Sequence, residues 1–466
     1  VINPSRALTG FAGLSALRHR NFRIFWSGQL ISLVGTWMAY IAEDWLVLTL
    51  TGDPFMLGLT SAAQFLPIMV FGLFGGIVAD SLPKRRTLIV TQTLAMLLAF
   101  LLAFLVLTHT VQVWQVIAIA FLLGCTSAVD MPTRQSFVIE MVGREDIGNA
   151  VALNSAIFNA ARIVGPAVAG LAIGAFDIGA AFLINGFSFL AVIGSLLAMR
   201  PADLRPAVRA AVPKTVAAVV ANLSEGLSFV RRTPIVLLAV IVVGLASAAG
   251  MNFGVVMPPF AKNVLHTGAD GYGYLMAASG IGSLLAALSI AFRGRPNPRI
   301  IVGGAIVLGV LEVALGFTRS MPLALLCMFG AGAGAISMAA MANTTIQLNV
   351  PDGLRGRVLA VYATVFAGST PIGGLASGAL AGAIGAAAAI SIGGGIALVV
   401  GIGAGIWAWR KGLLRPTSMR RSAQGHDPEQ GRLAGDVAEG DRAARPVERD
   451  AQPDGVVVGV VRVVDP

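Results

Sequence analysis

Charge is scarce in this chain: 12% of its 466 residues are Asp, Glu, Lys or Arg, against about 25% in soluble domains. With 56% hydrophobic residues, that shortage excludes an ordinary water-soluble globule. Only two cysteines and four histidines are present. Cys125 and Cys327 both fall in apolar runs and no CxxC occurs, so neither a disulfide framework nor a metal centre is expected. A GxxxxGK[ST] phosphate loop is missing, which argues against ATP hydrolysis. With no nucleophile-base or zinc constellation, the chain is not expected to be an enzyme or to need a cofactor. A small-residue cleavage site is also missing beside the first apolar run, which is too long for a signal peptide, so the first span should act as its own anchor.

What the chain does have is long apolar runs. A helix of about 17 to 25 apolar residues crosses a hydrocarbon core of about 30 Å. Twelve such runs occur, at 22–50, 55–79, 87–108, 113–129, 148–176 and 179–199, then 235–260, 272–292, 300–318, 321–342, 358–384 and 386–409. The expected fold class is an all-α membrane protein with twelve transmembrane helices in two six-helix bundles.

Basic residues alternate between loops. They crowd the start (Arg6, Arg18, Arg20, Arg23) and every second loop, whereas the intervening loops hold only Lys262 and Arg319. Loops rich in Lys and Arg stay cytoplasmic, which puts both termini there and requires an even number of spans. The net charge of +10 is largely this orientation signal, and no basic face with motif support points to nucleic acid. Arg in preference to Lys, with abundant Ala and Gly, points to a GC-rich bacterial gene, hence a multi-pass protein of the bacterial inner membrane.

Five regions are expected: a cytoplasmic start 1–20, a bundle 21–200, a linker 201–234, a second bundle 235–410, and a disordered cytoplasmic tail 411–466. The linker contains Pro201, Pro206 and Pro213 and then an amphipathic stretch, 216–230, suited to the membrane surface. The segment 124–142 aligns without gaps with 332–350, and both lead into spans with a central proline, Gly165-Pro166 and Thr370-Pro371. Two homologous halves with parallel topology follow, as in carriers that bind substrate between halves and rock about it.

Span one has one polar side. Gln29, Ser32, Thr36, Tyr40, Glu43 and Asp44 fall within an arc of roughly 120° at about 100° per residue, and such a face cannot meet lipid. A carboxylate deep in a bilayer costs about 2.5 to 3.5 kcal/mol on insertion scales, so Glu43 and Asp44 imply a water-filled cavity or a task. Neighbouring acids in low dielectric repel, and one of them, Asp44 by preference, can exchange a proton. The alternative is a pair that caps the helix and stays wet. In span five Ser155, Asn159, Arg162 and Pro166 share a stripe, with Arg162 about 20 Å along the helix. Arg162 either faces the cavity, for an acid or an anionic substrate, or forms a fixed interhelical pair. In span seven Pro258 and Pro259 must interrupt the hydrogen-bond ladder, as an outer gate or as a plain kink.

The loop Gly76-Ile-Val-Ala-Asp80-Ser-Leu-Pro83-Lys84-Arg85-Arg86 resembles the signature after the second span of the major facilitator superfamily. Gly76, Asp80, Lys84 and Arg85 match it, while Ser81 replaces an Arg and Pro83 a Gly. The resemblance covers about residues 20 to 410. Within it, Gly35-Thr-Trp-Met38, the stretch 45–52, Asn149-Ala-Val-Ala-Leu-Asn-Ser155 and Arg162-Ile-Val-Gly-Pro-Ala-Val-Ala-Gly170 look like the enterobactin-exporter-like efflux group. Residues 165–170 are similar to an antiporter motif of the fifth span, although Leu171 stands where its last Gly would be.

The resemblance implies the major facilitator fold with two pseudo-symmetric bundles. It also implies an intracellular gate of Gly76, Asp80, Lys84, Arg85, Arg86, Asp130 and Arg134, in which Asp80 would meet the start of span eleven near Arg357. The basic cluster of that loop has a second reading, as a topology signal only. Gly165, Pro166, Pro258, Pro259 and Pro371 are expected hinges. Span nine would be peripheral, so that Glu312 snorkels or pairs outside the cavity. The resulting reading is a secondary transporter exporting an amphiphilic small molecule (drug, macrolide or siderophore) by proton antiport. Gln29, Trp37, Tyr40, Ser155 and Asn159 would line its cavity, and Glu43, Asp44 and Arg162 would couple it to protons. Its partners are the substrate, protons and the lipid bilayer, with no nucleic acid, and a monomer is expected. Rival readings are an uptake symporter or facilitator of the same fold, or a non-transporting membrane sensor.

Overall fold

The computed structural model describes residues 12–205, 216–293 and 297–414, without the side chains of 12, 13, 72–80, 216–220 and 293. The expected tail from 415 onward and the linker prolines Pro206 and Pro213 lie outside the described residues. After a short turn, Ala12–Arg18, the chain forms α1 (Arg20–Thr51), α2 (Pro54–Ser81), α3 (Lys84–Leu107), α4 (Val113–Val142), α5 (Ile147–Ala175) and α6 (Ile178–Leu197). There follow α7 (Val216–Arg232), α8 (Pro234–Gly250), α9 (Phe253–Asn263), α10 (Ala269–Arg293), α11 (Pro298–Phe317), α12 (Met321–Asn349), α13 (Asp352–Ile384) and α14 (Ala386–Arg410). Among the described residues twelve stretches are long and apolar enough to span a membrane, with α8 and α9 together forming the seventh.

Local chemistry sets the ends of these helices. Gly52 stops α1 in the left-handed region (φ 66°), where a side chain would be strained, and its N–H bonds the carbonyl of Leu48. Gln112 and Gln115 form a reciprocal cap before α4. Asp177 accepts from the N–H of Ala180 at 2.9 Å to start α6. Side chains such as Phe104, Leu171, Phe187 and Val399 lie exposed on the outside, as lipid contact requires of a protein with no water at that level.

Several expected span edges move outward. The run 113–129 continues as helix to Val142, and 321–342 to Asn349. Hydropathy drops where Asp130, Arg134 and Glu140 enter, but those residues ride on helix that continues beyond the apolar band. The amphipathic stretch forms α7 as expected, and it docks on α13 through an ion pair between Glu225 and Arg357.

The internal repeat is visible in the packing. Pairs α2 with α4, α3 with α6, α1 with α6 and α1 with α5 in the first half correspond to α10 with α12, α11 with α14, α8 with α14 and α8 with α13 in the second. The aligned positions Gly124 and Gly332 do the same work: Gly124 lies against the backbone of Gln64 on α2, and Gly332 against that of Ser279 on α10. A side chain at either would push two backbones apart. Gly332→Val should therefore destabilise the second half by about 1–3 kcal/mol, the usual cost of overpacking, read as a lowered thermal midpoint of the purified protein in detergent.

The halves touch through α2 with α13, α5 with α10, and α9 with α1 and α2. Gly58 and Gly374 meet backbone to backbone, Gly378 lies against Pro54, Gly170 against Asp270, and Gly273 against Pro166. All of these approaches lie between mid-helix and the face opposite the chain's start, so that face is closed.

Candidate functional site

The closed face is where the acids of span one sit. The Tyr272 hydroxyl on α10 donates to Asp44 Oδ2 at 2.7 Å, a hydrogen bond that runs from one half to the other. Asp44 also faces the first turn of α9: a Cβ placed on Gly254 would come 3.0 Å from the same oxygen. That is the positive end of a helix, a favourable place for a carboxylate. Glu43 is buried at 6% exposure and accepts no hydrogen bond from any described residue. The polar arc of span one is turned inward as a whole: Gln29 and Ser32 are buried, while Ile31 on the opposite side is 54% exposed.

The end of α9 exists because the seventh span is interrupted. Helix stops at Gly250 and resumes at Phe253, with Met251 and Asn252 non-helical. The expected hinge prolines, Pro258 and Pro259, lie inside α9, buried, more than a turn beyond the interruption. Their missing N–H groups leave the carbonyls of Gly254 and Val255 without the usual donor, which weakens the ladder just after the break. Pro166 and Pro371 lie inside continuous helix, in α5 and α13. Gly165 lets α5 approach α1, against Trp37 Cβ.

Further from the closed face, α1 and α5 hold an aromatic cluster. Trp37 meets Tyr40 edge-on at 5.8 Å and Phe158 at 5.6 Å between ring centres. Ser155 Oγ donates to the Val151 carbonyl at 2.9 Å, and Asn159 Nδ2 to the Ser155 carbonyl at 2.8 Å, leaving acceptor capacity on both. Arg162 is half-buried and has neither an ion-pair nor a hydrogen-bond partner among the described residues. One helical turn separates it from Phe158 and from Gly165, which both touch Trp37. An unpaired guanidinium thus stands beside an aromatic wall, and the expectation that it meets an acid of the same chain is not realised in this conformation.

Towards the face where the chain begins lies a polar network that leaves one buried atom, Gln92 Oε1, without a partner. Asp130 accepts from Thr91 Oγ1 and Gln92 Nε2, both at 2.8 Å, and pairs with Arg134. Arg134 donates in turn to Gln29 Oε1 at 3.1 Å, tying α1, α3 and α4 together. Gln29 is thus spent within the first half. Lys84 pairs with Glu140 at 2.6 Å. Arg85 donates to the Leu196 and Leu197 carbonyls at 2.7 and 3.0 Å, capping α6. Arg86 is exposed at the mouth of an apolar groove between α3 and α4 lined by Val90, Leu94, Leu98 and Leu122. Gly76 and Asp80 fall on α2, but in the part whose side chains lie outside the described residues. Arg357, near the expected counterpart of Asp80, is engaged by Glu225.

Reading the chain alone missed two contributors. Phe158 carries no signal, being apolar in an apolar run. Tyr272 did carry one, as one of four tyrosines in the chain, at the start of a span. Glu312 also differs from expectation: it neither snorkels nor pairs, but is buried at 2% exposure in the second half.

Outside the spans, Ser15 Oγ donates to Asp146 Oδ1 at 2.6 Å and His19 Nε2 lies 2.8 Å from Oδ2. The Ser15 bond first and the His19 bond second hold the Asp146 carboxyl below its usual range. A depressed carboxyl stabilises the docked state above its unfolded pKa of about 3.9 and loses that contribution as pH falls through the lower folded value. Docking of the Ala12–Arg18 turn should therefore persist at neutral pH and fail in stronger acid. Hydrogen exchange at Leu14 to Leu17 reports it, and Asp146→Ala should show the released pattern already at pH 7.

The profile of the family described as transmembrane secretion effector matches residues 11–420. The chain is 26% identical over 396 residues to the uncharacterized MFS-type transporter YfiS of Bacillus subtilis (strain 168), covering 81% of this chain and 90% of that one. It is 28% identical over 358 residues to the multidrug efflux pump Tap of Mycolicibacterium fortuitum, covering 75% and 87%. Among solved structures, the nucleoside transporter NupG superposes with a TM-score of 0.66 at 13% identity, over 82% of this chain and 98% of that one. This last likeness is one of fold alone.

Proposed function

We propose, for a chain that belongs to the transmembrane secretion effector family of the major facilitator superfamily, that it exports an amphiphilic small molecule such as a drug, macrolide or siderophore in exchange for protons. The carrying observation is the hydrogen bond from Tyr272 to Asp44 across the halves. A carboxylate that accepts from Tyr272 and faces the positive end of α9 favours closure of that face. A proton on Asp44 removes the charge and loosens the closure. An empty, unprotonated carrier is then held shut on that side, which limits uncoupled return. Either a proton or a substrate is needed to change state, the requirement for antiport.

The side chains around Trp37 support the substrate class. Trp37, Tyr40 and Phe158 offer aromatic faces, Asn159 and Ser155 offer acceptors, and Arg162 offers an unpaired cation. Glu43, beside Asp44, adds a second buried acid to the proton pathway. The named function of Tap supports the outward direction of transport. Alternating basic loops support the bacterial inner membrane as the location, with both termini cytoplasmic and the closed face periplasmic. Asp80, Lys84, Arg85 and Arg86 belong to the opposite gate, engaging α13 once the periplasmic face opens and Arg357 leaves Glu225. The carrier works as a monomer.

Everted vesicles with an acid interior test the reading. Substrate should accumulate inside them in exchange for protons, and Asp44→Asn should abolish accumulation while membrane insertion stays normal. Substrate leaving together with protons would favour an uptake symporter, and gradient-independent equilibration a facilitator. Asp80→Asn should reduce the same flux at least tenfold without changing the amount of protein in the membrane; full activity in that variant removes the gate assignment.

A further inference from the structure

Glu312 lies beside the end of α8, at the interruption of the seventh span. It is 2% exposed, and its Oε2 has no hydrogen-bond partner. Two glycines make room for it: a Cβ on Gly250 would come 2.7 Å from Oε2, and one on Gly394 of α14 would collide with Glu312 Cβ. Gly250 is the last residue of α8. Asp44 meets the other side of the same interruption, at Gly254. Two carboxyl groups from different halves therefore flank one break, and they face opposite helix ends.

Those ends make opposite demands. The start of α9 presents N–H groups and favours an anion; the end of α8 presents carbonyl oxygens and disfavours one. The Ser247 carbonyl takes the Met251 N–H at 3.1 Å, and the Ala248 carbonyl takes the Asn252 side chain at 2.7 Å. The carbonyls of Ala249 and Gly250 have no continuing turn to bond. No cation offsets a charge on Glu312 from the helices packed on α11. Neither α8 nor α12 carries a charged residue, α14 carries only Arg410 at its other end, and the titratable Cys327 of α12 is neutral as a thiol. On α11 itself, Arg299 is about 20 Å away along the axis, and Arg319, just past its other end and about 10 Å along, is exposed and donates to the Gly316 and Thr318 carbonyls. An unpaired carboxylate in such a place is strongly disfavoured, whereas a neutral carboxyl carries no charge to desolvate.

We propose that Glu312 is a second proton-binding site, in the C-terminal half, that is loaded while the seventh span is broken at Met251 and Asn252 and unloads when that break is remodelled as the closed face opens. The step moves one proton from the carboxyl oxygen to water admitted at the break, and no other bond changes. This proton leaves towards the opening periplasmic face, opposite in direction to the proton exchanged for substrate in the reading above, so Glu312 is a conformation-linked site beside that exchange and lies away from Asp44. Its release depends on the shape of the seventh span, whereas Asp44 responds to contact between the halves.

The test is infrared difference spectroscopy on the full chain in lipid nanodiscs, reading the C=O stretch of a protonated carboxyl. In a Glu43→Gln, Asp44→Asn background, a band at neutral pH should persist, shift on carbon-13 labelling of glutamate, and vanish on adding Glu312→Gln. A Gly58→Trp wedge between α2 and α13 holds the face open, checked by a longer distance between spin labels at Thr110 and Ser320. In that variant the band should lose most of its intensity at the same pH.

A missing band, or one that survives Glu312→Gln, overturns the proposal. So does a band of equal intensity in the verified open variant, which would mark a permanent structural proton. Should Glu312→Gln fail to insert, the isotope shift in the background protein decides the same question. Proton-driven flux in vesicles is measured independently, so failure of the antiport reading is seen separately from failure of this site.

Discussion

A polar group inside hydrocarbon must find its partner within the protein, and this constraint shapes nearly everything in the chain. It forces the backbone into helices, since only they satisfy their own N–H and C=O groups within one segment. It also decides how the charges are arranged. Asp130 has three partners and Arg134 two, and together with Gln29, Thr91 and Gln92 they link three helices. Such a set pairs the charges it buries and leaves only the Gln92 amide oxygen unanswered. Against that background the exceptions stand out: Glu43 without a donor, Arg162 without an anion, Glu312 with an empty oxygen, and a helix that stops in mid-span.

These exceptions are not scattered. Asp44, Glu43, the break at Met251 and Asn252, Tyr272 and Glu312 all lie towards the closed face, on both sides of the seventh span. An interrupted helix creates a positive and a negative end where a continuous one has neither. A single structural defect thereby supplies an anion site for one half and a proton site for the other. The prolines at 258 and 259 explain why the defect is tolerated, since a ladder already short of two donors loses less by stopping a turn earlier.

Much of the fold could be read in the chain. Long apolar runs located the spans, the gapless match of 124–142 with 332–350 located the repeat, and the loop after span two located the superfamily. Gly124 and Gly332, aligned by sequence, proved to serve the same backbone approach. The site was less legible, for physical reasons. The arc of span one could be drawn because helical geometry places polar residues within a single element. Which residue answers Asp44 could not, because Tyr272 is 228 positions away in the chain and no periodicity connects them. The misjudgement of Glu312 has a different cause: its surroundings are made by glycines, which mark the absence of a side chain and leave no pattern that predicts a cavity.

The two halves share an architecture but not a chemistry, and the difference is itself informative. The first half carries the polar network, the acid pair and Arg162; the second has one acid in its interior. A symmetric distribution would give two equivalent sites that respond together to a single proton. The asymmetric one lets the first half read the contact between halves through Asp44, and the second read the shape of its own broken helix through Glu312. Because a carboxylate is welcome at one end of the break and unwelcome at the other, one conformation fixes two different protonation states, and a change of conformation must disturb both.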